Sequence, residues 1–261
     1  MSDEILVERA DGIATVILNR PHVRNALNLA MWTALPDVVD GLARDHEVRA
    51  LVLRGAGREA FASGADISEF QEVRNDRASA VAYNARTETA YHAIETCPKP
   101  TVAMIYGYCM GGAIALAMAC DLRFTADTGK FAIPAARLGI IYGRHSVRRL
   151  VGLVGPAAAK DILFSARVFD TPEAYAMGFV NRVLSVDDLA TFTYDYLRRV
   201  AENAPLSVQG AKLIVEAIAD DGGVARRAEI DGLQLAAYES RDYQEGTRAF
   251  LEKRRPRFQG Q

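Results

Sequence analysis

The residues best placed to do chemistry lie between Gly107 and Asp121, which read Gly-Tyr-Cys-Met-Gly-Gly-Ala-Ile-Ala-Leu-Ala-Met-Ala-Cys-Asp. The run from Gly111 to Cys120 is apolar on every side, which in a soluble chain marks a buried helix. It is too short to cross a bilayer. The first N–H groups of such a helix have no partner within it, and the helix dipole places partial positive charge beside them. Gly111 and Gly112 have no Cβ, so another group can approach the backbone closely there. A helix end of this kind can hold a developing oxyanion. The same pattern also fits a plain strand–turn–helix–strand unit of the core, in which the glycines only close a turn.

Other candidates have simpler readings. Asp66 follows Phe61-Ala62-Ser63-Gly64-Ala65, a tight segment of small residues, and suits a local hydrogen-bond acceptor. Glu69 lies a helical turn beyond it and reads as solvated. His92 and Glu95 share a helix face, but two ligands are too few for a metal site. Cys97, Cys109 and Cys120 are odd in number and match neither a zinc site nor a redox pair. The basic tail, Arg248, Lys253-Arg254-Arg255 and Arg257, reads as a solvated face. No phosphate-cradling loop, nucleophile elbow or dinucleotide fingerprint is present.

These residues need a frame of alternating strands and helices. Ile5–Glu8 and Ala14–Leu18 flank the Asp11-Gly12 turn as a hairpin. Apolar residues recur at helical spacing from Ala26 to Leu42, where the interior Pro36 predicts a bent or split helix. Ala50–Leu53, Thr101–Ile105, Leu122–Thr125, Phe131–Ile133 and Phe179–Leu184 read as strands, and residues 69–95 as a polar helical region with a mobile start around Asn75-Asp76. Residues 139–146 read as a loop. Thr171-Pro172-Glu173 opens a helix as cap, first-position proline and first-turn acid. Beyond Ser185 only helices are expected, over 187–203, 206–219 and 224–241, with a break at 220–223. The expected architecture is an α/β core over residues 1–200 with a helical region over 201–261.

With 261 residues, the chain can bury a large core without staples. Its 31 Lys+Arg against 33 Asp+Glu leave a net charge of −2, which gives no overall field for nucleic acid or an acidic membrane. No signal peptide or membrane-spanning run is legible, so the expected location is the cytoplasm.

Taken together, the motifs resemble the crotonase superfamily, the enoyl-CoA hydratase/isomerase family. The likeness rests on Leu18-Asn19-Arg20-Pro21 with Asn25-Ala26-Leu27, on Phe61 to Ile67, and on Gly107 to Asp121. Leu138-Gly139, Ala176-Met177-Gly178-Phe179-Val180, and Glu245-Gly246 with Ala249 to Arg254 extend it along nearly the whole chain. The resemblance implies a spiral of ββα units, C-terminal helices that build homotrimers or hexamers, and acyl-CoA thioesters as substrates with no separate cofactor. It implies that the backbone N–H groups of Ala65 and Gly112 form an oxyanion hole. It also implies contacts to CoA from Arg24, Ala26, Ala62, Asp66 and Ile67, and from Phe250 and Lys253, often those of a neighbouring subunit. The hydratase members carry two glutamates whose positions here are Ala115 and Ala135. Hydration needs proton transfers worth roughly 10²–10⁴ in rate each, so the usual hydratase pair is missing. Tyr142 resembles a tyrosine of the methylmalonyl-CoA decarboxylase branch, although that branch has a histidine at the Ala65 position. A lyase such as a decarboxylase is therefore the leading expectation, with Tyr142 as catalyst and with Ile141, Arg144 and His145 around the acyl group. The alternatives are a hydratase or isomerase with relocated acid/base residues, and a degenerate acyl-CoA-binding protein.

Overall fold

A computed structural model describes residues 3–221 and 223–261. The chain opens with the expected hairpin, β1 (Ile5–Ala10) antiparallel to β2 (Ile13–Leu18). Helix α1 (Leu29–Arg44) follows, capped by the Asn28 side chain, which accepts the Met31 N–H. It is not split at Pro36. The proline removes one internal N–H, while Met31, Trp32 and Leu35 before it and Val39 and Leu42 after it are buried and hold both halves on the core.

Three strand pairs then repeat a pattern. β3 (Ala50–Gly55) leads to β4 (Ala60–Ala62), β5 (Thr101–Ile105) to β6 (Tyr108–Met110), and β7 (Leu122–Ala126) to β8 (Lys130–Ala132). The first member of each pair joins a six-stranded sheet ordered β1-β2-β3-β5-β7-β10, closed by β10 (Arg182–Leu184). The second joins a smaller sheet ordered β4-β6-β8-β9, where β9 is Phe169–Asp170. Each pair hands over to helix: α2 (Phe70–Val73) and α3 (Arg77–Glu95), then α4 (Gly112–Ala119), then α5 (Arg144–Ser165). The corner from β5 to β6 requires glycine. Gly107 has φ +52°, and a Cβ there would lie 1.9 Å from the Glu59 carbonyl oxygen.

The start expected near Asn75-Asp76 is a firmly capped helix N-terminus: Asp76 caps α3 in a reciprocal box with Ser79. Residues 139–146 are loop only as far as Gly143, because Arg144, His145 and Ser146 form the first turn of α5. The cap of α6 (Thr171–Ala176) is Asp170 rather than Thr171. The strand expected over Phe179–Leu184 is confined to Arg182–Leu184, since Phe179 and Val180 close the turn after α6. The last third is α7 (Asp188–Ala201), α8 (Pro205–Asp221), α9 (Arg227–Glu239) and α10 (Arg241–Leu251). Of the break expected at 220–223, Gly222 lies outside the described residues. All three cysteines are free and buried, as expected of small core residues. Among the described residues no helix is long and apolar enough to cross a membrane.

Candidate active site

Helix α4 is buried over every residue from Ala113 to Ala119, so only its N-terminus can meet a ligand. Gly111, at φ +53°, turns the chain from β6 into this helix, and its N–H donates to the Ala132 carbonyl at 2.8 Å. Gly112 is the first helical residue. Its N–H has no acceptor among the described residues, as the open end of a helix predicts.

The loop after β4 supplies a second free donor. The Leu27 N–H donates to Gly64 O and the Asp66 N–H to Leu27 O, both at 2.8 Å. These bonds bracket Ala65 and leave its own N–H without an acceptor among the described residues. Gly64 brings the loop against the helix end: a Cβ there would lie 2.8 Å from Met110 O and 3.4 Å from Gly112 N. Asn25, itself at φ +56°, locks the neighbouring segment by donating to Ala56 O and Ala60 O. The Ala65 and Gly112 N–H groups therefore face one cavity, of about 180 Å³. Two preorganised donors at a dipole-bearing helix end can stabilise negative charge on a carbonyl oxygen.

Tyr142 lies at the same turn. Its hydroxyl donates to Gly111 O at 3.1 Å and sits beside the Ala115 backbone, and burial pushes its pKa well above the usual range for a phenol. The ring thus fills space over Ala115, which is buried one turn into α4. Ala135 and Ile141 line the cavity, and Ile141 is almost fully exposed at its mouth.

Arg144 and His145 do not join this lining. His145 points from the first turn of α5 toward buried Glu95 and pairs with it. Glu95 also takes Arg149 at 2.9 Å and Arg148 at 3.2 Å. Arg144 is exposed. Of the residues expected to meet CoA, Ile67 lines the cavity and Ala26 and Ala62 are buried beside it. Asp66 is committed to Ser68, whose hydrogen bond is the main cause of its lowered pKa, and to Arg20 at 2.7 Å. Arg24 pairs with Glu59 and stacks on Tyr108. Phe250 and Lys253 are exposed on and just beyond α10, away from the cavity.

The structure adds a wall that was read only as a polar helical region. Tyr83, Thr87 and Tyr91 recur at i, i+4 and i+8 on α3, with Asn84 and Glu88 beside them, and all five line the cavity. Glu88 is its lining carboxylate among the described residues. A Cβ on Gly143 would lie 2.6 Å from Glu88 Oε1, so that glycine makes room for the acid. The negative charge of Glu88 adds to the upward pKa shifts of Tyr91 and Tyr142, both caused chiefly by burial. A Cβ on Gly112 would meet the Tyr91 hydroxyl and Trp32 Cζ2 at 3.3 Å, which places Tyr91 beside Gly112.

The profile of the family described as Enoyl-CoA hydratase/isomerase matches residues 8–261. Crotonyl-CoA hydratase of Syntrophomonas wolfei is 33% identical, with 98% of each chain covered. The mitochondrial methylglutaconyl-CoA hydratase of Mus musculus is 31% identical over 98% of this chain and 82% of its own. Among solved structures, an enoyl-CoA hydratase/carnithine racemase from Magnetospirillum magneticum superposes with a TM-score of 0.94 at 37% identity, covering 100% of this chain and 97% of that one. These matches and the repeated strand-pair-to-helix pattern agree on one assignment: the chain belongs to the enoyl-CoA hydratase/isomerase family and has the crotonase fold.

Proposed function

We propose that this acyl-CoA enzyme stabilises a thioester enolate at the N–H groups of Ala65 and Gly112 and moves the substrate proton with Glu88. The observation that carries this reading is the placement of Glu88. A carboxylate lines the cavity from α3, while the positions at which the family resemblance implies glutamates are Ala115 and Ala135. One base can remove a proton from the carbon next to the thioester and return it two carbons away. A double-bond shift is thus within reach of a single carboxylate. Hydration needs a second group, and the Tyr142 hydroxyl, bonded to Gly111 O, could serve.

Decarboxylation is the second reading, favoured by the same two alanines, because loss of CO₂ forms the enolate without a base. It is weakened by His145, engaged with Glu95, and by Arg144, which is off the cavity.

The test is product mass analysis with 3-hexenoyl-, crotonyl- and methylmalonyl-CoA in deuterated buffer. Isomerisation or hydration with deuterium incorporation is expected, reduced by roughly 10²–10⁴ in Glu88→Gln. Turnover of methylmalonyl-CoA alone, unchanged in Glu88→Gln, would establish the decarboxylase. Turnover of none would leave an acyl-CoA-binding protein.

A further inference from the structure

Two residues that line the cavity, Trp32 and Tyr83, carry hydrogen-bond donors with no partner among the described residues. Trp32 is 1% exposed and Tyr83 4% exposed. The indole Nε1 and the Tyr83 hydroxyl are both buried without a hydrogen-bond partner. They lie near each other without reaching hydrogen-bond geometry. A buried polar group left unpaired costs roughly 1–3 kcal/mol, so two together in one cavity call for an occupant.

A cation stands beside them. The Arg74 guanidinium lies 5.2 Å from the Phe70 ring centroid and 5.6 Å from that of Tyr83, and it lines the same cavity. It has no carboxylate partner among the described residues. Of the acids near it in sequence, Glu69 accepts the Leu29 N–H at 2.8 Å, Asp66 holds Arg20, Asp76 accepts the Ser79 N–H as the cap of α3, and Glu72 is exposed. An N–H, an O–H and a guanidinium on three residues that line one cavity offer donors and positive charge with no fixed acceptor among the described residues.

This end is set apart from the reacting centre. Tyr83 precedes Glu88 by five residues on α3, about 7.5 Å along the axis at 1.5 Å per residue. The indole bridges the two ends, with Cζ2 at Gly112 and the ring edge-on to Tyr91. The cavity of about 180 Å³ is close to a benzene-sized one of about 150 Å³, so the acyl group is short.

We propose that Arg74, Tyr83 and Trp32 form a subsite for a carboxylate at the far end of a short acyl chain, making the substrate a dicarboxylic acid monothioester of CoA. The proposal rests on the acyl-CoA reading above. Equilibrium binding of saturated thioesters separates the two, because no chemistry is needed.

Glutaryl-CoA, pentanoyl-CoA and free CoA are titrated calorimetrically into the wild type and into Arg74→Met, Tyr83→Phe and Trp32→Phe. Glutaryl-CoA should bind wild type at least about tenfold more tightly than pentanoyl-CoA, the scale of one hydrogen bond to a charged group. Arg74→Met should abolish or reverse that preference. Tyr83→Phe, which keeps the ring, should narrow it severalfold with free CoA affinity unchanged, and Trp32→Phe should do the same. Equal or tighter binding of pentanoyl-CoA to wild type, or full preference in Arg74→Met, overturns the carboxylate subsite while leaving the acyl-CoA reading intact. Failure of all three ligands to bind overturns the acyl-CoA reading itself.

Discussion

The proposed oxyanion donors are backbone atoms, so ordinary side-chain substitution cannot remove them, and the informative change is to proline. Gly112→Pro deletes the N–H at the first helical position, where proline is tolerated. Gly112→Ala adds a Cβ against Tyr91 and Trp32 but keeps the donor, so the difference between the two variants reports the N–H. The proline variant should lose at least about 2.7 kcal/mol of transition-state stabilisation relative to alanine. Circular dichroism checks the fold, and equal kcat in two folded variants would move the hole elsewhere. The tyrosines of the cavity make a separate prediction about pH. Burial pushes Tyr83 up to about 12 from an ordinary 10.0, and raises Tyr91 and Tyr142 as well. A group raised in the folded state gives stability that is complete below its unfolded pKa and disappears as pH rises through the folded one. Urea midpoints should therefore fall between about pH 10 and 12, and the fall should be shallower in Tyr83→Phe. An identical pH profile in that variant would show that Tyr83 ionises as freely folded as unfolded.

Elements bring together residues far apart in sequence, and the corner between β5 and β6 is where this has least tolerance. A methyl group on Gly107 would overlap the Glu59 carbonyl, at a backbone angle L-residues avoid, so Gly107→Ala should destabilise the protein by about 1–3 kcal/mol or more. Chemical denaturation measures this, and a loss within about 0.5 kcal/mol, that of an ordinary surface change, would mean the corner relaxes freely. The same geometry explains what could be read from the sequence. The inner strands β2, β3 and β5 and helix α4 announce themselves by largely apolar runs, and Gly111 and Gly112 stand out at the start of α4. β4 and β6 have three residues each, too few for an alternation to show, and they pair with each other across the 48 positions from Ala60 to Tyr108. Glu88 was illegible for another reason. α3 is mostly polar, so an acid on it looks solvated until α1 and the Tyr142 segment are packed against its Tyr83–Tyr91 face. His145 reads as loop because Gly139 and Gly143 precede it; the helical turn from Arg144 directs its ring to Glu95.

At the scale of the whole molecule, the last three helices stand apart from the sheets and pack on one another around a second cavity, of about 550 Å³, lined by Leu233, Ile214 and Tyr243. Leu235, Tyr238, Phe250 and Leu251 are all more than 60% exposed there or nearby. Complete burial of such a side chain stabilises by roughly 1.5–3 kcal/mol, so a surface with several of them gains much by meeting another copy. We propose that α8–α10 form a subunit interface, as the family resemblance implies, and that Phe250 and Lys253, remote from their own chain's cavity, face that of a neighbour. Light scattering at micromolar concentration should then give a trimer or hexamer. Leu235→Glu should shift it to monomer, while Phe250→Ala should weaken CoA binding in addition to assembly. Mixing two variants tests the shared site directly. Phe250→Ala and Gly112→Pro chains, each impaired alone, should recover part of the activity when unfolded and refolded together, because some interfaces then unite an intact hole with an intact Phe250. A monomeric wild type, or mixed oligomers no more active than the average of the parents, would confine each site to its own chain.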